Sequence, residues 1–268
     1  MSKKTIYSLI AVVLVLGIYG YEHFLKGEEK TVLVDSGKKP KITTNEYFLP
    51  TSTTGQIIHH QSYSLSYSEP HEQAEWVAYE LKKGHLSNSN FKRPYFEIDT
   101  AVKTGAADWR NYKNSGYDRG HLCPAGDRNY SQSAHDETFL TSNISPQRND
   151  FNAGIWNRLE QKVRYWASKY DGVFVVTGGV LKGRMKTIGE EKVAVPNQFY
   201  KVLIDNTERT KMIAFLIPHE ASNKPLYEFV VSVDAIEALT GIDFFPELED
   251  GLENKLEAAS DYKDWSFN

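Results

Sequence analysis

The chain has 268 residues, of which 40% are hydrophobic and 25% charged, as is ordinary for a soluble globular protein with one large domain or two small ones. The net charge is −4, but residues 232–268 hold ten acidic residues against two lysines, so the remainder carries +4 and a polyanionic partner is favoured only weakly. Cys123 is the only cysteine, which excludes an intramolecular disulfide and any metal site made of several cysteines.

The N-terminal segment predicts export. Lys3 and Lys4 precede an uncharged run of 17 residues over positions 5–21, which is at the short end of what spans a bilayer. A cleaved signal peptide should end in small residues spaced like Ala-x-Ala, and residues 18–21 lack such a pair. We therefore predict a signal-anchor over residues 1–25, with membrane attachment and the rest of the chain outside the cytoplasm. Secretion after signal cleavage is the main alternative, and a buried core helix is a weaker one.

A polar stretch over residues 26–56 predicts an exposed stem, followed by one folded domain over residues 57–268. Alternation of large apolar residues with serines over residues 63–67 predicts a strand, and the apolar residues within 71–83 predict a helix ended by Gly84. Buried strands are predicted over residues 172–180, 198–204 and 212–217, with a turn at 205–207.

The strongest helical pattern covers residues 152–170, where large apolar residues recur at steps of three and four. A final short helix is expected to begin near Asp234 and to end at Gly241. Because strands and helices mix without regular βαβ alternation, the chain is predicted to be α+β, with a mostly antiparallel central sheet and flanking helices.

Three segments carry the side chains best suited to catalysis: Tyr-Asp-Arg-Gly-His-Leu at 117–122, Leu-Thr-Ser-Asn-Ile-Ser-Pro-Gln at 140–147 and Asn-Ala-Gly-Ile-Trp-Asn-Arg-Leu-Glu at 152–160. They offer an imidazole, guanidinium groups and oxygen ligands, but no pair of histidines at zinc spacing. Oxygen ligands favour a hard cation such as Mg²⁺, an imidazole can deprotonate water, and an arginine stabilises charge on a phosphoryl oxygen. The combination predicts metal-assisted hydrolysis of a phosphate ester.

The ordered blocks Asp-Arg-Gly-His, Ser-Asn-Ile-Ser-Pro-Gln and Asn-x-x-x-Trp-x-x-x-Glu resemble those of the DNA/RNA non-specific endonucleases. These are ββα-metal nucleases, a group that includes mitochondrial endonuclease G. Further blocks at 75–79, 176–179, 195–201 and 240–246 fit the same pattern, so the resemblance covers roughly residues 57–250. It implies the ββα-metal nuclease fold and cleavage of DNA and RNA with little sequence specificity, leaving 5′-phosphate and 3′-hydroxyl ends.

The resemblance also implies roles for three residues. His121 is expected to be the general base, Asn152 the only direct protein ligand of Mg²⁺ (with Mn²⁺ as a substitute), and Glu160 a contact to the water shell of the metal. Taken alone, Asn152 is typical of a helix N-cap and Glu160 of a solvated helix charge. On an ideal α-helix the two lie about 12 Å apart along the axis and are rotated by roughly 80°. That spacing favours a water between Glu160 and the ion.

Two arginines are expected to bind the scissile phosphate. Arg119 lies within the motif, and Arg93 precedes Phe96 and Asp99 in the Arg-x-x-aromatic-x-x-Asp pattern that the resemblance implies. Arg110 is also upstream and is the competing assignment for the role of Arg93.

Neighbouring residues have weaker assignments. Asp118 is expected to be a structural hydrogen-bond partner, and Asn143 either a brace behind the metal site or a purely structural residue. Cys123 follows His121 by two positions, but catalytic Cys and His pairs normally come from distant segments, which favours a small buried residue. Six histidines are expected to be structural or surface residues: His59, His60, His71, His85, His135 and His219.

Two rival functions follow from the same residues. One is a nuclease of the same fold that prefers a particular nucleic-acid structure. The other is a catalytically silent, membrane-tethered nucleic-acid binder, which the intact set of His121, Asn152 and Glu160 argues against.

Overall fold

The computed structural model describes residues 48–87, 89–205 and 210–267. Its strands, in chain order, are β1 Ile57–His59, β2 Ser64–Ser68, β3 Gln73–Lys82, β4 Asp118–His121, β5 Ile144–Gln147, β6 Gly172–Gly179, β7 Lys186–Ile188, β8 Val193–Val195, β9 Gln198–Asp205, β10 Lys211–Pro218 and β11 Val230–Val231. The α-helices are α1 Gln132–Glu137, α2 Asn149–Phe151, α3 Asn157–Lys169, α4 Val233–Thr240 and α5 Asp250–Glu257. Short 3₁₀ turns connect them at Glu69–His71, Lys83–His85, Trp109–Tyr112, Ala125–Asp127, Thr141–Asn143, Leu226–Phe229 and Tyr262–Asp264.

A seven-stranded sheet organises the domain, with its strands in the order β1-β2-β3-β6-β9-β10-β11. Every pairing within it is antiparallel. Two small antiparallel pairs, β4 with β5 and β7 with β8, lie outside this sheet. The predicted α+β class with a mostly antiparallel sheet is confirmed.

Both faces of the sheet are buried. Along β3, Val77 and Tyr79 belong to one apolar core and Trp76 and Ala78 to the other, as the alternation of side chains along a strand requires. Helix α3 covers the first core and α4 covers the second, so the sheet lies between two helical layers.

The helix predicted over residues 71–83 is wrong, because this segment forms β3. A strand that is buried on both faces has apolar residues at consecutive positions, and such a run fits a helical period as well as a strand period. Gly84 lies in a 3₁₀ turn that follows the strand.

The other predicted strands are confirmed as β2, β6, β9 and β10. Of the turn predicted at 205–207, only Asp205 is among the described residues. The last predicted helix is confirmed as α4, and Gly241 caps it with a φ of +72°, in the left-handed region that glycine adopts without strain.

The end of the predicted stem packs against the domain. Phe48 is 1% exposed and its ring centroid lies 4.1 Å from that of Phe174, while Trp76 Nε1 donates to Thr51 O at 2.9 Å. The signal-anchor predicted over 1–25 and the stem as far as residue 47 lie outside the described residues. Among the residues that the structure does describe, no helix is both long and apolar enough to cross a membrane.

Candidate active site

A strand–strand–helix unit carries the motif residues. Strand β4 pairs antiparallel with β5 so that Asp118 lies opposite Gln147 and His121 opposite Ile144, and the chain then enters a helical stretch over residues 149–169. Gly120 is required in β4, because a Cβ at this position would overlap the side chain of Gln147. The unit therefore brings the Asp-Arg-Gly-His segment beside the start of the helical stretch.

The helical stretch is not the continuous α-helix that its periodicity predicts. A π turn, Asn152–Trp156, separates α2 from α3, and Gly154 within it has non-helical angles of φ −95° and ψ −110°. The N-cap interpretation of Asn152 is wrong, because its φ of −60° and ψ of −54° are helical and α2 precedes it. Ideal α-helical spacing therefore does not apply between Asn152 and Glu160. Single π turns are frequent at functional sites.

The Asn152 side chain has a defined orientation. Its Nδ2 donates to Asp118 Oδ2 at 3.0 Å, and Asn149 Nδ2 donates to the same oxygen at 3.0 Å. Asp118 is thus the structural hydrogen-bond partner that was predicted. Because the amide nitrogen is engaged, the Asn152 Oδ1 is the atom left for a ligand, and an amide oxygen is a donor that hard cations accept.

His121 is held as a neutral imidazole. Its ring lies between Phe96 and Phe139, at centroid distances of 5.5 and 4.9 Å. Burial lowers the pKa of His121 to about 3, with further contributions from Arg93 and His135. Its Nε2 is enclosed and has no hydrogen-bond partner among the described residues, an arrangement that is costly unless a water or substrate group pairs with it. The ring is therefore in the form that accepts a proton.

Arg93 and Arg119 both lie close to the ring of Phe96. Their guanidinium carbons are 5.6 and 5.1 Å from the centroid of Phe96. Arg110, the competing residue, instead pairs with Asp108 at 2.5 Å and lines a separate hollow. The structure thus brings Arg93 and Arg119 to the site and leaves Arg110 outside it.

Arg93, Arg119 and Asn152 line a cleft of about 660 Å³. Its lining contains three cationic side chains, one carboxylate, three aromatic rings and two amides: Arg93, Lys113, Arg119, Asp118, Trp109, Tyr112, Tyr117, Asn114 and Asn152. The excess of positive charge suits a phosphodiester chain, and aromatic rings offer faces on which bases can stack.

Glu160 does not line this cleft. It lies in a buried charge network with Lys201, Asp127 and Arg164, where burial raises the pKa of Glu160 to about 7 although Lys201 and Arg164 counteract that rise. Lys201 is fully buried, and burial lowers its pKa. Arg164 Nη1 pairs with Asp127 Oδ1 at 2.8 Å. Glu160 is therefore not the solvated helix charge that its position alone would suggest.

Asn143 braces the chain just after His121. Its side chain is fully buried, its Oδ1 accepts from Cys123 N at 2.8 Å, and its Nδ2 donates to the carbonyls of Cys123 and Thr138 at 3.0 and 2.8 Å. Asn143 thus holds the backbone of Cys123 and Thr138 in place through its side-chain hydrogen bonds. Burial raises the pKa of the Cys123 thiol to about 12, so Cys123 is the small buried residue that was favoured.

His219 supports the site from a distant part of the chain. Its Nδ1 donates to Pro196 O at 2.8 Å, and its Nε2 accepts from Arg148 N at 2.7 Å, directly before α2. His219 is structural, as predicted, but no sequence signal indicates a contact with a residue 71 positions away. Its hydrogen bonds hold the start of the helical stretch that carries Asn152.

Comparisons with known proteins agree with this geometry. The family model for DNA/RNA non-specific endonucleases matches residues 41–251. The chain belongs to this family. The mitochondrial nuclease EXOG of Danio rerio is 36% identical over 203 residues, which are 69% of this chain and 59% of that protein. EXOG of Homo sapiens is 32% identical over 238 residues, which are 80% of this chain and 64% of that protein. The chain therefore spans about six-tenths of the length of these curated relatives.

Two further comparisons cover more of the other protein. A nuclease of Nostoc sp. is 31% identical over 243 residues, which are 84% of this chain and 83% of that protein. Among solved structures, the crystal structure of the EndoG/EndoGI complex matches with a TM-score of 0.71 and 28% identity, over 80% of this chain and 94% of that chain. The predicted ββα-metal nuclease fold is thereby confirmed for this chain. The DNA/RNA non-specific endonuclease family is metal-dependent.

Proposed function

We propose that this chain is an endonuclease that hydrolyses phosphodiester bonds in DNA and RNA with little sequence specificity. The observation that carries the proposal is that one strand–strand–helix unit holds both a neutral His121 with an unpaired Nε2 and an Asn152 oriented by Asp118. Family membership supports the same activity. Intact His121 and Asn152 argue against a silent binder, which has no need of a proton acceptor.

The proposed reaction uses water as the nucleophile. His121 accepts a proton from the water, whose oxygen bonds to phosphorus in line as the bond from phosphorus to the 3′-oxygen breaks. The leaving 3′-oxygen takes up a proton from solvent, and His121 afterwards releases its proton to solvent. The products are a 5′-phosphate and a 3′-hydroxyl. Because no 2′-hydroxyl takes part, DNA and RNA both serve as substrates. Arg93 and Arg119 offset the negative charge that builds on the phosphoryl oxygens.

A divalent cation completes the proposed site. The Oδ1 of Asn152 would hold it, since the amide nitrogen is engaged by Asp118, and we propose Mg²⁺ with Mn²⁺ as a substitute. When bound, the cation supplies Lewis-acid stabilisation of charge on the phosphate. Glu160 is proposed to contact the water shell of the metal, and its raised pKa suits a group that exchanges protons with such waters.

The low sequence specificity follows from the kinds of contact the cleft offers. Arg93 and Arg119 contact phosphates, which position a nucleic acid without reading its sequence. Trp109 and Tyr117 offer ring faces on which any base can stack.

Side-by-side cleavage tests the proposal. Purified protein is incubated with supercoiled plasmid, single-stranded DNA and RNA, with Mg²⁺ or with a chelator. We expect all three substrates to be cut in Mg²⁺ and none in chelator, whereas cleavage of one substrate class alone would favour the rival with a narrow structural preference. Asn152→Ala should weaken metal binding so that raised Mg²⁺ recovers part of the rate, while Arg110→Gln, the matched surface control, should behave as wild type.

We further propose that residues 1–25 anchor the protein in a membrane with the domain outside the cytoplasm. The positively charged start and the uncharged run support this proposal. Full-length protein should fractionate with membranes, and the domain should be accessible to protease added outside the cell. A soluble mature chain that begins near residue 22 would instead establish secretion after signal cleavage.

A further inference from the structure

Five carboxylates converge at the C-terminal end of the domain, far along the chain from the Asn152 site. Helix α4 provides Asp234 and Glu237, helix α5 provides Glu253 and Glu257, and the connection between them provides Asp243. Carboxylate oxygens of Asp234, Glu237 and Glu257 lie within 4.8 Å of one another, and so do those of Asp243, Glu253 and Glu257. Glu257 belongs to both groups and joins them.

Glu257 is the buried centre of this cluster. It is only 6% exposed, and its Oε1 is enclosed without a hydrogen-bond partner among the described residues. The Oε1 of Glu253 is in the same condition. A buried carboxylate that lacks a partner is strongly disfavoured, and proteins normally pair such a group or use it to coordinate a metal.

Among the described residues, no basic side chain forms an ion pair with the cluster. Across residues 48–87, 89–205 and 210–267, none of the ion pairs involves any of the five carboxylates. Burial and repulsion by nearby carboxylates together raise the pKa of Glu257 to about 8, burial contributing most, followed by Glu237, Glu253, Asp243 and Asp234. Burial also raises the pKa of Glu237 and that of Glu253. The enclosed Oε1 atoms of Glu257 and Glu253, which have no partner among the described residues, are therefore available to a bound cation.

The structure assigns a second divalent-cation site of the Ca²⁺ class to Asp234, Glu237, Asp243, Glu253 and Glu257, here called the C-terminal acidic site. Carboxylate oxygens without nitrogen or sulfur select a hard cation. Oxygens on opposite sides of one Ca²⁺ lie about 4.6–5.2 Å apart, whereas Mg²⁺ allows only about 4.0–4.2 Å. Three carboxylate oxygens that all lie within 4.8 Å of one another are close enough to bind one Ca²⁺ together.

This site is distinct from the nuclease chemistry. Glu253 and Glu257 lie beyond residue 251, where the match to the endonuclease family ends. A cation there would hold α4 and α5 together over the sheet, because each helix supplies ligands and both pack beside β10. The expected consequence is stabilisation of the C-terminal part of the domain rather than a change in the cleavage step.

Ca²⁺ binding to the purified full-length Asn152→Ala variant tests the proposal, because this variant weakens the catalytic metal site. Isothermal titration with Ca²⁺ at neutral pH should show saturable binding. At a Ca²⁺ concentration one hundred times Kd, Tm should exceed its value in chelator by roughly 5–10 °C.

Glu257→Gln, made in the same background, should abolish the Ca²⁺-dependent rise in Tm, because the amide keeps the size of the side chain but removes the shared charge. Glu253→Gln is the second variant, for use if Glu257→Gln does not fold. Glu247→Gln, an exposed acidic residue in the same segment, should retain the full rise. Absence of Ca²⁺ binding to the Asn152→Ala protein, or a full rise in Tm in folded Glu257→Gln, would overturn the proposal and leave a shared proton as the occupant of the cluster.

Discussion

The hydrogen bond between Asp118 and Asn152 is expected to set the affinity of the catalytic metal. In Asp118→Ala the Asn152 amide loses the acceptor that fixes its Nδ2 and is free to rotate its Oδ1 away from the cleft. A hydrogen bond to a charged group contributes about 1.5–3 kcal/mol, and each 1.4 kcal/mol corresponds to about a tenfold change in an equilibrium constant. The Mg²⁺ concentration for half-maximal cleavage should therefore rise about 10–100-fold, as is usual for residues that orient a metal ligand. Because the pair is only partly buried, the lower half of this range is expected.

The assay is the initial rate of plasmid nicking as a function of Mg²⁺ concentration. At saturating Mg²⁺ the variant should regain most of the wild-type rate, since Asp118 orients a ligand and takes no part in proton transfer. Asn149→Ala is the matched control, because it removes the other hydrogen bond to the same carboxylate oxygen and leaves the Asn152 bond in place. An unchanged Mg²⁺ requirement in folded Asp118→Ala would refute this reasoning.

Four further predictions concern the site and its supports. Gly120→Ala should destabilise the fold by about 1–3 kcal/mol in guanidinium denaturation, because the added methyl group overlaps the buried Gln147 side chain. Because the pKa of His121 is lowered to about 3, its basic form predominates at every higher pH, and kcat/KM should not fall near the ordinary histidine pKa of about 6.5. Arg93→Gln removes one positive charge that lowers this pKa, so it should move the acid limb of the kcat/KM profile to higher pH. Glu160→Gln should reduce turnover with little change in the Mg²⁺ requirement.

For each of these predictions, one experimental result would contradict its physical reason. Wild-type stability of Gly120→Ala would contradict the close packing of β4 against Gln147. A fall of the wild-type kcat/KM near pH 6.5 would contradict the neutral state of His121. Arg110→Gln is the matched control for Arg93→Gln, because Arg110 is paired with Asp108. A large change in the Mg²⁺ requirement of Glu160→Gln would place its carboxylate among the direct metal ligands.

The centre of the site could be predicted because its parts are local in sequence. The two strands and the helical stretch follow one another between residues 118 and 169, so an ordered motif is enough to place His121 and Asn152 on one structural unit. The π turn could not be predicted, since a glycine within a helical period signals a weak point without specifying its geometry.

The supports of the site come from distant strands and loops. Lys201 meets Glu160 because β9 lies within the sheet that α3 covers, and a buried lysine within a strand has no distinctive local pattern. His219 reaches Arg148 through the loop that follows β10. The helix wrongly predicted at β3 also reflects tertiary structure. Burial of β3 on both faces depends on the whole fold, and it removes the alternating pattern that would indicate a strand in the sequence.

Cleavage of supercoiled plasmid by wild type and His121→Ala, at equal concentration and with matched circular dichroism spectra, tests the central claim most directly. We expect the wild-type protein to nick and linearise the plasmid in Mg²⁺, and chelator to stop it. His121→Ala should be slower by about 10²–10⁴-fold, the usual contribution of a general base, because His121 is the only histidine in β4, β5 and the helical stretch over residues 149–169. A folded His121→Ala protein that cleaves at nearly the wild-type rate would contradict the assignment of His121 as the base.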